Sequence, residues 1–279
     1  MVVLLVLRTF QLNKMRYEGN IKKMRSEKQE PVKYYLSIGE NEILMNNLIS
    51  KKITIDYQNQ INCINCSAKT NKSFHQGYCY SCFTSIPQCD AGVLHPEKDM
   101  SHEGVSRDME WAKKNSLVDH YVYLAITGGV KVGVTRFSQI PTRWIDQGAI
   151  KAIRLAKTPY RNLAGQIEVD LKKHISDKTN WNKMLKSKQT DLVLTEIKKE
   201  IITKLSPEFH DYISLNNKIE TFSFPFDYNI DSFESISLDK TDKLEGKLIG
   251  IKGQYLIFEN GKVMNVRKHN GYLISLETE

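Results

Sequence analysis

Cys63, Cys66, Cys79 and Cys82 read C-x2-C, twelve residues, then C-x2-C. Two such knuckles folded against each other present four thiolates to one tetrahedral Zn2+. The intervening segment 67–78 is polar, and Gly77, just ahead of the second knuckle, suits a ribbon hairpin. Four thiolates leave no open position for water or substrate, so the expected zinc supports a fold and does not catalyse. Nothing else in the chain suggests an oxidising compartment, so thiolates rather than disulfides are expected. Cys89, His95 and His102 follow the ribbon; Cys89 reads as an inert thiol rather than part of a second metal site.

Charge is the second chemical signal. The 279-residue chain carries a net charge of +8. Residues 131–188 alone hold thirteen basic and four acidic side chains. An excess focused on one region suggests a polyanionic partner, DNA or RNA. Lys151, Arg154, Lys157, Arg161, Lys172 and Lys173 are the candidate phosphate contacts, and Lys178, Lys183, Lys186 and Lys188 extend the same stretch. Trp144, Tyr160 and Trp181 are available to stack on bases, although buried packing is the ordinary role of such rings. With 41% hydrophobic and 26% charged residues, a folded protein is expected rather than a disordered one. Met1–Leu7 is apolar but too short to span a bilayer, and it lacks the flanks of a signal peptide. Met15 is a possible functional start, which makes 1–14 an extension. No transmembrane helix or membrane partner is expected, and the cytoplasm is the expected location. No motif speaks to oligomeric state.

These residues need elements to hold them. Asn20–Met24, Val32–Ile38 and Lys51–Tyr57 read as strands, with 41–49 a helical turn or a loop between the last two. The ribbon occupies 61–85, and a short helix is expected over Asp108–Asn115. Tyr121–Leu124, Thr127-Gly128-Gly129 and Val130–Thr135 form a hairpin pattern. Pro141 opens a short helix that Gly148 ends. If 142–157 were one helix, Arg143, Lys151, Arg154 and Lys157 would share a side. Gly148 and Pro159 instead bracket a strand, whose alternation splits the basic residues between faces. Leu163, Ile167, Leu171 and Ile175 mark one amphipathic helix, and Val193, Ile197, Ile201 and Leu205 another. The tail offers four strands, Lys247–Ile251, Gln254–Phe258, Val263–Val266 and Tyr272–Leu276, separated by X-Gly turns. A meander that thin needs partners, and the N-terminal strands are expected to close a small β-barrel with it. Glu18-Gly19-Asn20-Ile21 and Glu245-Gly246-Lys247-Leu248 look faintly alike, which fits two related sheet entries.

The segment Tyr121–Glu168 resembles a divergent, phage-type GIY-YIG nuclease domain. Tyr121-Val122-Tyr123 stands at the first signature, with Tyr123 on its tyrosine; Lys131-Val132-Gly133 stands at the second, with Lys131 replacing its tyrosine. Thr135 follows as the small hydroxyl residue, Arg143 matches the family arginine and Glu168 the family glutamate. Asn180 is a loose match to a late asparagine. The resemblance implies a catalytic set of Tyr121, Tyr123, Lys131, Arg143 and Glu168, with Glu168 holding Mg2+ or Mn2+. Over residues 15–277 the strings CINC, GYCYSCF, GVSRDMEW, KVGVTR, RWIDQGA, AGQIEVDLK, DKTNW, GIKGQYLIF and NVRKHNGY are also similar to an uncharacterised bacterial family of unknown function.

The expected architecture is α+β, comprising a four-cysteine zinc ribbon, a GIY-YIG-like α/β module and a small β-barrel of N- and C-terminal strands. The expected division is 1–14 extension, 15–60 β segment, 61–119 ribbon and following loop, 120–220 nuclease-like module with helical extension, and 221–279 β meander. The leading functional expectation is a metal-dependent nucleic-acid phosphodiesterase. The alternatives are a non-catalytic nucleic-acid-binding protein that keeps the fold, and a protein-interaction adaptor built on ribbon and barrel.

Overall fold

The computed structural model describes residues 15–226 and 230–279, so the expected extension 1–14 lies outside the described residues. β1 (Met15–Asn20), β2 (Arg25–Glu27), β3 (Lys33–Ile38), β4 (Asn41–Leu44) and β5 (Lys52–Asn62) form the N-terminal part. Period-two burial turns Tyr34, Leu36 and Ile38 of β3 inward. The expected strand Asn20–Met24 is displaced. β1 ends at Asn20, Ile21 makes only an isolated bridge to Ile38, and the Met24 N–H donates to Gln254 Oε1 at 2.8 Å. The 41–49 stretch is β4 followed by a 3-10 turn, Met45–Leu48, that buries Met45 and Leu48.

The cysteine-bearing segment comprises the end of β5, β6 (Lys69–Thr70) paired to it, and α1 (Tyr80–Ser85). α2 (Ala91–Leu94) and α3 (Met109–Asn115) follow. The Asp108 side chain caps α3 by accepting from the Trp111 N–H at 3.0 Å.

The next unit is β7 (His120–Ile126), β8 (Val130–Arg136), α4 (Thr142–Asp146), β9 (Lys151–Thr158), α5 (Arg161–Leu171), α6 (Trp181–Lys186), α7 (Leu194–Ile202) and β10 (Ile219–Thr221). Its antiparallel sheet runs β10-β9-β7-β8, with α5 against it. β9 falls between Gly148, at φ +67°, and Pro159. α5 stops at Leu171, leaving Ile175 beyond it.

β11 (Glu234–Ile236), β12 (Lys243–Lys252), β13 (Tyr255–Phe258), β14 (Lys262–Asn265) and β15 (Tyr272–Thr278) complete the chain. Strands from both chain ends share one sheet, ordered β1-β15-β5-β12-β13-β14-β11, with β6 attached to β5. The expected closed barrel is not formed: among the described residues the path ends in β1 at one side and β11 at the other. Nor is the tail a four-stranded meander. A 3-10 turn, Val266–His269, replaces a tight hairpin and carries the chain across the sheet to pair β15 with β5. A third sheet is β2-β3-β4. The whole is a mixed α+β architecture, and a single buried cluster joins the terminal strands to the central module. Among the described residues no helix is long and apolar enough to cross a membrane.

The large sheet hides an approximate twofold. β1, β3, β4, the 3-10 turn and β5 repeat as β12, β13, β14, the second 3-10 turn and β15. β5 and β15 pair about Ile55↔Leu276, flanked by Thr54↔Glu277 and Asp56↔Ser275. Gly19 of β1 faces Ile274, and Gly246 of β12 faces Ile53. Off the strands the bonds match too. Ile21 N donates to Tyr272 O at 2.9 Å and Gly271 N to Ile21 O at 2.8 Å, while Leu248 N donates to Lys51 O at 2.9 Å and Ser50 N to Leu248 O at 2.7 Å.

Candidate functional site

The four ribbon cysteines converge, with all four Sγ atoms within 4.8 Å of one another. Cys66 and Cys79 Sγ are 3.7 Å apart, and Asn65 Nδ2 donates to Cys82 Sγ at 3.3 Å. Burial pushes the Cys63 thiol up, but main-chain N–H groups of Cys66, Cys79 and Asn65 outweigh it and bring it down to about 6. At Cys82 the Asn65 amide pulls the other way, yet burial and the three neighbouring thiols push it up to about 12. One thiolate forms readily and the last resists, a conflict that a central cation removes. The cluster is able to hold a metal such as zinc. Cys89 stays outside it, its thiol raised to about 11 by burial.

A second cluster lies on one face of the β7–β8–β9 sheet. Directly opposed residues of paired strands share a face. Tyr121, Tyr123 and Ala125 face Thr135, Gly133 and Lys131 across the β7–β8 hairpin. Tyr123 is fully buried, and its hydroxyl lies over Gly133, where an added Cβ would sit 2.6 Å from the oxygen. Tyr123 Oη donates to Gln147 Oε1 at 2.9 Å. With the Gln147 amide turned the other way, its oxygen accepts from Arg143 Nε at 3.0 Å and Nη2 at 3.2 Å, and its nitrogen donates to Tyr123 Oη at 2.9 Å. α4, with Gln147 at its end, thus joins arginine to tyrosine.

Lys131 is buried, and its Nζ donates to Thr179 Oγ1 at 3.3 Å. Burial, reinforced by the Arg143 charge, lowers its ammonium to about 8 against the pull of Glu168 and Asp177. Burial raises the Glu168 carboxyl, opposed by Lys172 and Lys131. Burial also raises the Tyr123 phenol, despite Arg143 nearby. Lys172 Nζ lies between two carboxylates, 3.5 Å from Glu168 Oε2 and 3.1 Å from Asp177 Oδ2.

Tyr123, Lys131, Arg143 and Glu168 are therefore brought together. Tyr121 sits one step along β7, with the Arg154 guanidinium 4.9 Å above its ring. The strand alternation expected to split the basic residues is broken by a bulge. β9 slips register between the partners of Val122 and Tyr123, so Lys157 pairs with Tyr121 and Arg154 with Tyr123, on one face.

The other basic candidates are differently engaged. Arg161 is mostly buried and donates to the Gly92 and Val93 carbonyls, each at 2.7 Å, so it holds the 91–103 segment onto α5. Lys173 pairs with Asp170 at 2.8 Å, Lys157 with Asp119 at 2.7 Å, and Lys151 donates to Thr190 O at 3.3 Å. Asn180 caps α6 by accepting from the Lys183 N–H at 3.1 Å.

Sequence reasoning missed the roles of Gln147, Asp177, Thr179 and Arg267, although all four lie inside strings already singled out, RWIDQGA, DKTNW and NVRKHNGY. Arg267 comes from the second 3-10 turn, is half-buried, and lies close enough to Arg143 for their charges to repel. Among the described residues no carboxylate is within ion-pairing distance of it.

The family described as "Protein of unknown function (DUF2797)" matches residues 50–274, and the chain belongs to it. No curated protein and no solved structure matches the chain.

Proposed function

We propose that this member of the DUF2797 family is a nucleic-acid phosphodiesterase that works with a divalent metal. The observation that carries the reading is the convergence of Tyr123, Lys131, Arg143 and Glu168, four residues from four elements, β7, β8, α4 and α5. The donor set around Lys172, the carboxylates of Glu168 and Asp177, is all oxygen, which suits Mg2+ or Mn2+. Glu168, with Asp177 beside it, would hold that ion, which when bound polarises a phosphoryl oxygen and acidifies water. Lys131, lowered to about 8, has a neutral fraction near neutral pH able to take a proton from the attacking water. Tyr123, its phenol raised, stays protonated and orients rather than deprotonates. Arg143 offers a planar fork to the charge developing on the phosphate, with Gln147 fixing its plane. The four-cysteine cluster is read as a closed structural zinc site.

The test is cleavage of labelled single- and double-stranded DNA and RNA with Mg2+ or Mn2+. Arg143→Ala and Glu168→Gln are expected to lose activity by about 10²- to 10³-fold while still binding substrate. Unchanged cleavage in both variants overturns the assignment. A second reading, a non-catalytic phosphate-binding cleft, is favoured by one observation: Lys172 already neutralises Glu168 and Asp177. Tight, salt-sensitive binding with no cleavage by the wild type would select it.

A further inference from the structure

The ribbon carries an exposed aromatic ring with half-buried rings beside it. Tyr80, the first residue of α1, is 63% exposed. The Phe74 ring lies 5.4 Å from it edge-on and 5.6 Å from Phe83 in a stack; Phe83 in turn lies 6.4 Å from His75. Lys72 Nζ sits 5.2 Å over the Phe74 ring. Residues 61–86 contain two lysines, Lys69 and Lys72, and no acidic residue. Among the described residues neither lysine has a carboxylate partner. A small domain that only had to support a metal would have no use for an exposed ring bordered by unpaired cations.

The position of this face gives it a use. The ribbon hairpin is pinned to the second 3-10 turn by Asn270 Nδ2, which donates to Gln76 O at 2.9 Å. Arg267 of the same turn is near enough to act on the charge of both His75 and Arg143. Ring contacts link His75 to Phe83, Phe74 and Tyr80, and charge interactions link His75 through Arg267 to Arg143. Aromatic faces interleaved with cations suit unpaired bases on a phosphate backbone, because every base has a face to stack. Paired bases keep their faces inside the duplex and would meet these rings only with backbone or groove edges.

We propose that the ribbon face of Tyr80, Phe74 and Lys72 is a stacking platform for single-stranded nucleic acid, which enters the cleft past Arg267. The occupant rests on the reading of the cleft as a phosphodiester site, but its test does not. Binding is measured by fluorescence anisotropy with labelled oligo(dT), oligo(U) and a duplex of equal length, in magnesium-free buffer so that no cleavage intervenes. The wild type binds both single strands more tightly than the duplex. Tyr80→Ala weakens single-strand binding by about 5- to 100-fold, Tyr80→Phe retains most of it, and Lys72→Glu weakens it without removing a ring. Zinc content and thermal midpoint, equal to wild type in all three, certify the ribbon fold. Wild-type affinity in Tyr80→Ala overturns the platform. So does equal preference for duplex, or no oligonucleotide binding at all, which would leave the face to a protein partner. Loss of the phosphodiesterase reading has a different signature: cleavage surviving Arg143→Ala and Glu168→Gln, with the Tyr80 dependence of binding intact.

Discussion

Gly165 sits in the middle of α5, where general helix energetics favour replacing it with alanine by about 1 kcal/mol. The structure reverses that sign. A Cβ at this position would lie 2.2 Å from Glu97 N and 2.4 Å from Pro96 C, both main-chain atoms. Ordinary contacts are about 3.5 Å or more, so the 96–97 backbone must retreat by roughly 1 Å or α5 must tilt. Neither is free to move. Asn162 Nδ2 donates to Glu97 O at 2.9 Å, and Arg161 ties Gly92 and Val93 to the same helix. Overpacking of this kind costs about 1–3 kcal/mol, and stretching even one charge-assisted bond adds about 1–2 kcal/mol. Against the propensity gain, Gly165→Ala should destabilise by about 2–3 kcal/mol. In a chain of this size that lowers the thermal midpoint by roughly 3–5 °C, and the urea midpoint falls in parallel. Val169→Ala, at a partly exposed site on the same helix, is the control and should move stability by under about 0.5 kcal/mol. A Gly165→Ala protein as stable as wild type, or more so, would refute the close seating of residues 96–97 on α5.

Four further outcomes are expected. Purified protein should carry about one equivalent of zinc, and chelation or Cys66→Ser should unfold the ribbon, read as lost zinc and new protease cutting within 61–86. If Lys131 is the base, cleavage should rise with pH and level off above about 8, because the neutral amine forms as pH passes its lowered pKa; Lys131→Met should flatten that profile. Lys252 is fully buried, donates to Ser187 O, and is lowered to about 7 from 10.5 by burial. The unfolded chain then binds more protons between those values, so wild-type stability should climb from pH 7 towards 10, and urea midpoints of Lys252→Met should lack that climb. Arg267→Asn should leave the fold intact and lower the salt slope of oligonucleotide binding by about one, measured by salt titration.

Local signals carried well. The C-x2-C spacing gave the thiol cluster, and the hairpin over 121–135 was written in its alternation and its Gly-Gly turn. The bracket of Gly148 and Pro159 located β9, because a positive-φ residue and a proline punctuate a chain regardless of its surroundings. What failed was set by partners far away in sequence. The bulge at β9 that unites Arg154 with Lys157 depends on β7. The X-Gly signals before β15 suggested a hairpin, yet the 3-10 turn ahead of them sends that strand to β5, more than two hundred residues earlier. Arg161 counted towards a basic surface although main-chain carbonyls of the 91–103 segment claim it, and no local pattern distinguishes those two uses.

The twofold in the large sheet sets the context for the C-terminal turn whose arginine acts on Arg143 of the central module. In the first copy the turn reads Met45-Asn46-Asn47-Leu48, and in the second Val266-Arg267-Lys268-His269. The backbone task is the same in both, yet the second position differs. Asn46 is bound within its own unit, accepting from Tyr34 N at 2.9 Å and donating to Val32 O at 3.0 Å. In the second copy a main-chain bond, Val266 N to Gln254 O at 2.8 Å, ties the turn to the residue before β13, and the Gln254 side chain binds Met24 and Asp146. That releases position 267 from structural duty. An arginine held there has its guanidinium pKa lowered first by burial and then by the Arg143 charge, against the pull of Asp146, and no carboxylate among the described residues is in ion-pairing range of it. A fold seeking only stability would have kept the asparagine. A bound anion would offset both the burial and the Arg143 charge; under the proposed function that anion is a phosphate, and the residue that would meet it lies outside the nuclease-like segment.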